Sequence, residues 1–136
     1  MNDTQYKIYS VNGPVITVRG GRGLAMMDMV YAGDEHLVGE VVGMDGDSTT
    51  VQVYEDTTGL APGQPLTTTG APMSLKLGPG LLGAIFDGIG RPLKSLEAIS
   101  GPFLGRGINL PSLDQEKQWS VTVTVKEGDS VTPGTL

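Results

Sequence analysis

Tight turns divide this chain at such short intervals that no long helix can run through it. Twenty-one glycines and nine prolines fall among its 136 residues with no regular period. Glycine accepts the positive φ that turns demand, and proline lacks the N–H that a helix interior needs. Between these breaks stand short runs with the two-residue repeat of a strand. Residues 6–11 (YKIYSV) alternate weakly, Asn12-Gly13 turns the chain, and residues 14–20 (PVITVRG) return, with Pro14 opening the strand. Asn-Gly between two such runs predicts a type I′ hairpin, since both residues accept positive φ. Residues 37–44 and 49–55 make a second hairpin around Asp45-Gly46, with Val51 and Val53 on one face and Gln52 and Tyr54 on the other. Gly39 and Gly43 interrupt the first of these runs, as where a strand bends to close a barrel. Residues 59–72 read as a Gly/Pro-rich connection, residues 73–77 (MSLKL) as a further strand, and residues 91–114 show no sustained period. Trp119, Val121, Val123 and Val125 then alternate with Ser120, Thr122, Thr124 and Lys126, which predicts a half-buried strand. The fold class expected is mainly β: a small closed or sandwich-like sheet of short strands, then a Gly/Pro-rich connection with a short helix, and a further β segment.

Composition narrows the chemistry. Aromatics are only 5% of the chain, so the core is expected to be Val, Leu, Ile and Met. The formal charge is −6 and no run of Lys or Arg could neutralise several phosphates, which argues against nucleic acid and against an anionic membrane surface as partners. The absence of cysteine removes disulfides, thiolate catalysis and Cys-based metal sites together. The opening NDTQYK is polar, unlike a secretory leader, and no apolar run approaches the length of a membrane span. A cytoplasmic protein is expected, working from the aqueous side if it works at a membrane.

Several motifs invite a functional reading. GPGLLG, residues 78–83, has the G-x-G-x-x-G spacing of dinucleotide-binding turns. That reading requires a long helix and a second parallel strand carrying an acid, and Gly88, Gly90 and Pro92 break the helical stretch early. The expected alternative is a short helix opened by Pro79, with the glycines allowing sharp turns and close packing. A Walker A loop requires a Lys directly after Gly, and no Gly-Lys pair exists anywhere in the chain. DGDST, residues 45–49, begins like a calcium loop, but Thr50 stands where glycine is required and Asp56 where glutamate is. His36 is the only histidine and lies in a polar stretch, so it reads as a solvated loop residue. Met26, Met27 and Met29 read as core or interface filler. VKEGDSVTPG, residues 125–134, shares a turn pattern with biotinyl and lipoyl carrier domains, but no Lys has the context of an attachment point. No catalytic, cofactor-binding or metal-ligating residue is assigned.

Taken together, GPVITVRG, GEVVGMDGDSTTVQVYEDTTGLAPG and LGPGLLGAIFDGIGRPL resemble the N-terminal region of the catalytic A subunit of V-type and archaeal A-type ATPases. RGINLPSLDQEKQW and VTVKEGDSVTPG resemble the start of that subunit's bulge insertion, so the likeness spans essentially the whole chain. It implies a β-barrel over residues 1–74, a connection into the nucleotide-binding domain over 75–111, and the start of the bulge over 112–136. It further implies an alternating ring with non-catalytic B subunits, on the soluble, membrane-peripheral sector of the enzyme. The full-length parent would hydrolyse or synthesise ATP with Mg²⁺, coupled to H⁺ or Na⁺ transport. Its phosphate loop, catalytic Glu and trans-acting Arg would lie beyond Leu136, leaving no cofactor in this stretch. Residues 38–44 and 51–55 are expected at the subunit interfaces. The chain stops at VTPGTL, just after a turn and at the start of an apolar run, which predicts a longer protein. The alternative is a stand-alone barrel that serves as a scaffold without catalysis.

Overall fold

Short β-branched runs that alternate in polarity can satisfy their backbone only by pairing with neighbours, and here the pairing closes on itself. The computed structural model describes residues 5–134; the first four residues and the closing Thr135-Leu136, where the terminal strand start was expected, lie outside them. Six antiparallel strands, β1 (Gln5–Asn12), β2 (Val15–Arg19), β3 (Asp28–Ala32), β4 (Leu37–Asp45), β5 (Ser48–Val53) and β6 (Pro65–Pro72), form a closed barrel in the order β1-β2-β5-β4-β3-β6. Among the described residues, a single 3₁₀ turn (Pro79–Leu81) and one helix, α1 (Leu93–Ser100), come after it. The expected mainly-β class, barrel first and short helical pieces after it, is the observed one.

The barrel interior is filled from alternate positions of every strand: Ile8, Ile16, Val18, Val30, Ala32, Val41, Val51, Val53 and Leu66, joined by Tyr6, Leu24 and Leu37. Val51 and Val53 point inward while Gln52 and Tyr54 are exposed, as their alternation predicts. The methionines depart from expectation. Met26, Met27, Met44 and Met73 are exposed and Met29 is half-buried, so none belongs to the core. A small barrel presents inward only every second residue of each strand, and those positions are held by compact β-branched chains.

Both hairpin turns are offset by one residue from the expected ones. Asn12 pairs with Val15 and Asp45 with Ser48, so the central residues are Gly13-Pro14 and Gly46-Asp47. Only the glycines have positive φ, 57° and 56°, which is the pattern of a II′ turn rather than I′. Proline cannot adopt positive φ, and it sits here in the turn rather than opening β2. Of the bends expected at Gly39 and Gly43, an irregularity is present at the second, and the first is a close backbone approach. Pairing of β4 with β5 shifts register between Val41 and Gly43, and a Cβ on Gly39 would meet the Gln52 carbonyl oxygen at 2.8 Å.

Five stretches differ from the sequence reading. Strand β3 has no clear signature in the sequence: Met27, with φ of 68°, and buried Asp28, which accepts a bond from Ala25 N–H, disguise its start. β6 lies inside the stretch read as a connection; only Leu66 is fully buried, and the strand is held because it pairs with β1 and β3 at once. Its prolines stand at its two ends, where a missing ladder N–H matters least. Helix α1 falls where no period is evident, because it buries one residue alone, Leu96, between Pro92 and a Gly101 with φ of 72°. Residues 73–77 and 119–125 belong to no strand, and Val121 is 76% exposed. Alternation defines two faces but supplies no partner, and a closed barrel leaves no edge to pair with.

Replacing Leu66 by Ala removes a side chain packed among strands from every side, with an expected loss of about 2–5 kcal/mol. A shift of the urea midpoint with an unchanged slope checks it; a shift of a few tenths of a molar or less contradicts this packing.

Candidate functional site

A buried arginine is one of the links that join the barrel to the later part of the chain. Asp87 starts a tight loop in which its Oδ1 accepts the backbone N–H of Ile89 at 3.1 Å and of Arg91 at 2.8 Å, while Gly90 N–H donates to the Asp87 carbonyl. Gly90 holds a φ of 82°, which this Asp-Gly-Ile-Gly-Arg sequence needs to reverse the chain. The loop aims Arg91 at the end of β5. Its Nε donates to Asp87 Oδ2 at 2.7 Å and its Nη1 to Glu55 Oε1 at 2.8 Å. Nη1 also lies 3.4 Å from the Gly105 carbonyl and 3.2 Å from that of Ile108. Glu55 in turn accepts Gly107 N–H at 3.2 Å through Oε1 and Val38 N–H at 3.1 Å through Oε2. Arg91, Glu55 and Asp87 side chains are only 10%, 6% and 11% exposed.

Burying three charges is favourable only when each keeps several partners, and here each does. Burial alone would raise the Asp87 pKa, but the backbone N–H and guanidinium of Arg91, its charge, and Ile89 N–H together hold it below the ordinary carboxylate value. Burial likewise acts to lower the Arg91 pKa, and the bonds and charges of Asp87 and Glu55 outweigh it. Sequence reasoning assigns Arg91 and Asp87 to no site and places Glu55 only within the 51–55 interface stretch, whereas its side chain is buried against Arg91. The Asp-Gly-x-Gly-Arg-Pro run is the available signal for the loop, whereas Glu55, 36 residues away, carries none.

Beside Arg91 opens a cleft of about 660 Å³, walled by Met29, Val38, Leu75, Ile89, Ile108 and Leu113. Arg91 turns toward its carboxylates, and Lys76 Nζ lies 3.3 Å from Gln115 Oε1. The arrangement joins segments; it does not assemble a nucleophile with a base. GPGLLG lies nearby as a turn. Gly78 is extended, with φ of −176°, and the 3₁₀ turn after it ends at Leu81. A Cβ on Gly78 would come within 3.0 Å, and on Gly80 within 2.8 Å, of the Leu113 side chain. These glycines admit Leu113, and the element they open is a three-residue 3₁₀ turn rather than a long helix.

The remaining candidates resolve similarly. Asp45 closes β4 and Asp47 sits in the exposed β4–β5 turn, and among the described residues no group of three or more acids and histidines is placed to hold a metal ion. His36 is an exposed loop residue whose Nδ1 lies 3.0 Å from the Asp34 carbonyl. Gly128, with φ of 95°, and Asp129, which accepts Lys126 N–H at 2.8 Å, form the turn that the carrier-like pattern predicts. On the barrel's outer surface the Arg19 guanidinium stacks 3.9 Å over the Tyr9 ring, and the Tyr54 hydroxyl donates to Glu40. Val42 and Met44 stand exposed on β4.

Arg91→Ala strands two buried carboxylates, with an expected loss of about 3–5 kcal/mol at neutral pH, read from urea unfolding. Asp87 adds a signed pH dependence. Its folded pKa is depressed, so its contribution is complete above the unfolded value of about 3.9 and disappears as pH falls through the lower folded value. Asp87→Asn is therefore expected to flatten the stability curve below about pH 4 relative to the parent chain; parallel curves would contradict this.

Residues 8–70 match the family described as ATP synthase alpha/beta family, beta-barrel domain. The chain is 47% identical over 132 residues to a V-type ATP synthase alpha chain of Halothermothrix orenii, and that alignment takes in 97% of this chain. It is 50% identical over 128 residues, 93% of the chain, to the A subunit of the A-type ATP synthase of Haloferax volcanii. It is 48% identical over 130 residues, 96% of the chain, to V-type ATP synthase alpha chain 1 of Clostridium tetani. The chain spans 22% of the length of each of these relatives. Helices long and apolar enough to cross a membrane are absent among the described residues. By its closed barrel and by this similarity, the chain matches through residues 8–70 the ATP synthase alpha/beta family, beta-barrel domain, and is closely related to V-type and A-type alpha (A) subunits.

Proposed function

We propose that this chain is the N-terminal assembly region of the catalytic A subunit of an ion-translocating V/A-type ATPase. The observation that carries the reading is similarity to alpha chains and A subunits at 47–50% identity along 93–97% of this chain. In this reading residues 1–74 are the ring-forming barrel, 75–111 the connection into a nucleotide-binding domain, and 112–136 the start of the bulge. The full-length protein hydrolyses or synthesises ATP, coupled to H⁺ or Na⁺ transport, on the cytoplasmic, membrane-peripheral side. Non-catalytic B subunits are its neighbours in an alternating ring.

The residues present do not fit an ATP–Mg²⁺ site. The glycines at 78 and 80 are filled against by Leu113, and the chain has no Gly-Lys pair to place an ammonium on a phosphate. What these residues do is mechanical. The barrel keeps its backbone bonds internal, so it offers neighbours side-chain surface rather than strand edges. Val42, Met44 and Tyr54, exposed on and just after the β4–β5 hairpin, support the placement of an interface there. An acidic surface suits a basic or mixed-charge neighbour.

Mixing the chain with a non-catalytic B subunit of a V/A-type ATPase is expected to give a complex by analytical ultracentrifugation. Val42→Asp with Met44→Asp is expected to weaken it at least about tenfold while leaving the barrel folded, as a desolvated apolar contact requires. Calorimetry with Mg-ATP is expected to show no binding to these 136 residues. Stoichiometric ATP binding, or no association with any B subunit, would sink the reading.

A further inference from the structure

Residues 105–109 cross from the Arg91 loop to the loops at one end of the barrel, and each of their polar contacts is with a loop or with the end of a strand. Arg106 Nη1 donates to the Asp56 carbonyl at 3.1 Å and the Thr58 carbonyl at 2.7 Å, and its Nη2 pairs with Glu35 Oε2 at 3.0 Å. Gly107 N–H reaches Glu55, and Asn109 Nδ2 donates to the Tyr31 hydroxyl at 3.0 Å. Gly107 has a φ of 64° and rests directly against the Glu35 carbonyl, so that a Cβ there would overlap its oxygen. An exposed ion pair such as Arg106–Glu35 holds weakly by itself. The glycine contact and the paired carbonyls give it a single register.

We infer that residues 105–109 are a detachable clasp, which fixes the direction in which the chain leaves the barrel and can release while the barrel stays closed. Two observations separate the clasp from the barrel. No residue of 105–109 enters a barrel ladder, and none belongs to the buried core cluster. The clasp therefore opens as a local unit: its release breaks the Arg106 and Asn109 contacts and the bonds of the Gly105, Gly107 and Ile108 backbone to Arg91 and Glu55, but no rung of the sheet. The inference does not rest on the proposed ATPase role, and a barrel of any function could carry it.

The Arg106–Gly107 bond makes the clasp measurable, because trypsin needs the guanidinium that the clasp holds on the Asp56 and Thr58 carbonyls and on Glu35. In the folded chain, cleavage after Arg106 is expected at least about 100-fold slower than in a synthetic peptide of residues 100–112, since cleavage tracks the open population. Gly107→Ala is expected to accelerate it at least about tenfold. Hydrogen exchange at Val51 and Val53 should stay as slow as in the parent chain. Should Gly107→Ala fail to fold, Glu35→Ala decides: it must accelerate cleavage while leaving Val51 and Val53 protected. Cleavage in the parent chain as fast as in the peptide overturns the clasp. Loss of barrel protection together with clasp release in Glu35→Ala overturns its independence.

Discussion

The pairing of β6 with β1 on one side and β3 on the other is the constraint on which the molecule depends. Without it the sheet would be an open ribbon of five strands with two exposed edges, and Val30, Ile8 and Leu66 would lose their common interior. Closure also constrains the rest of the chain. Every barrel strand has a neighbour on both sides, so later segments cannot extend the sheet, however strand-like their sequences. They attach through side chains instead.

That is why arginines carry so much of the tertiary structure of an acidic protein. A guanidinium presents donors in several directions within one plane, and can reach a carboxylate on one element and carbonyls on another. Arg91 does so in a nearly dry setting, where Glu55 would otherwise be an uncompensated charge. Arg106 does so in a wet one, with two loop carbonyls and an exposed glutamate. The same residue type yields a buried joint in the first place and a more exposed fastening in the second, where solvent screens the pairing more strongly.

Glycine sets where these joints form. Gly90 permits the reversal that aims Arg91, and Gly107 permits the approach to Glu35. The glycines of GPGLLG show the opposite lesson. Their spacing matches a phosphate-binding pattern, yet the volume beside them is taken by Leu113. Spacing alone does not distinguish a backbone kept bare for a ligand from one kept bare for a neighbouring leucine.

What the sequence determined by itself was local. Turn chemistry located both hairpins to within a residue, alternation put Val51 and Val53 inside, and glycines marked the bend of β4. The family resemblance was legible too, being carried by contiguous residues. What only the tertiary structure decided was long-range: that PLTTTGAP is a strand, that residues 119–125 are not, that α1 forms over one buried leucine, and that Glu55 meets Arg91. The physical reason is common to all four. Periodicity and turn propensity describe which faces a segment has, whereas pairing, burial and charge compensation depend on which distant segment is there to meet them.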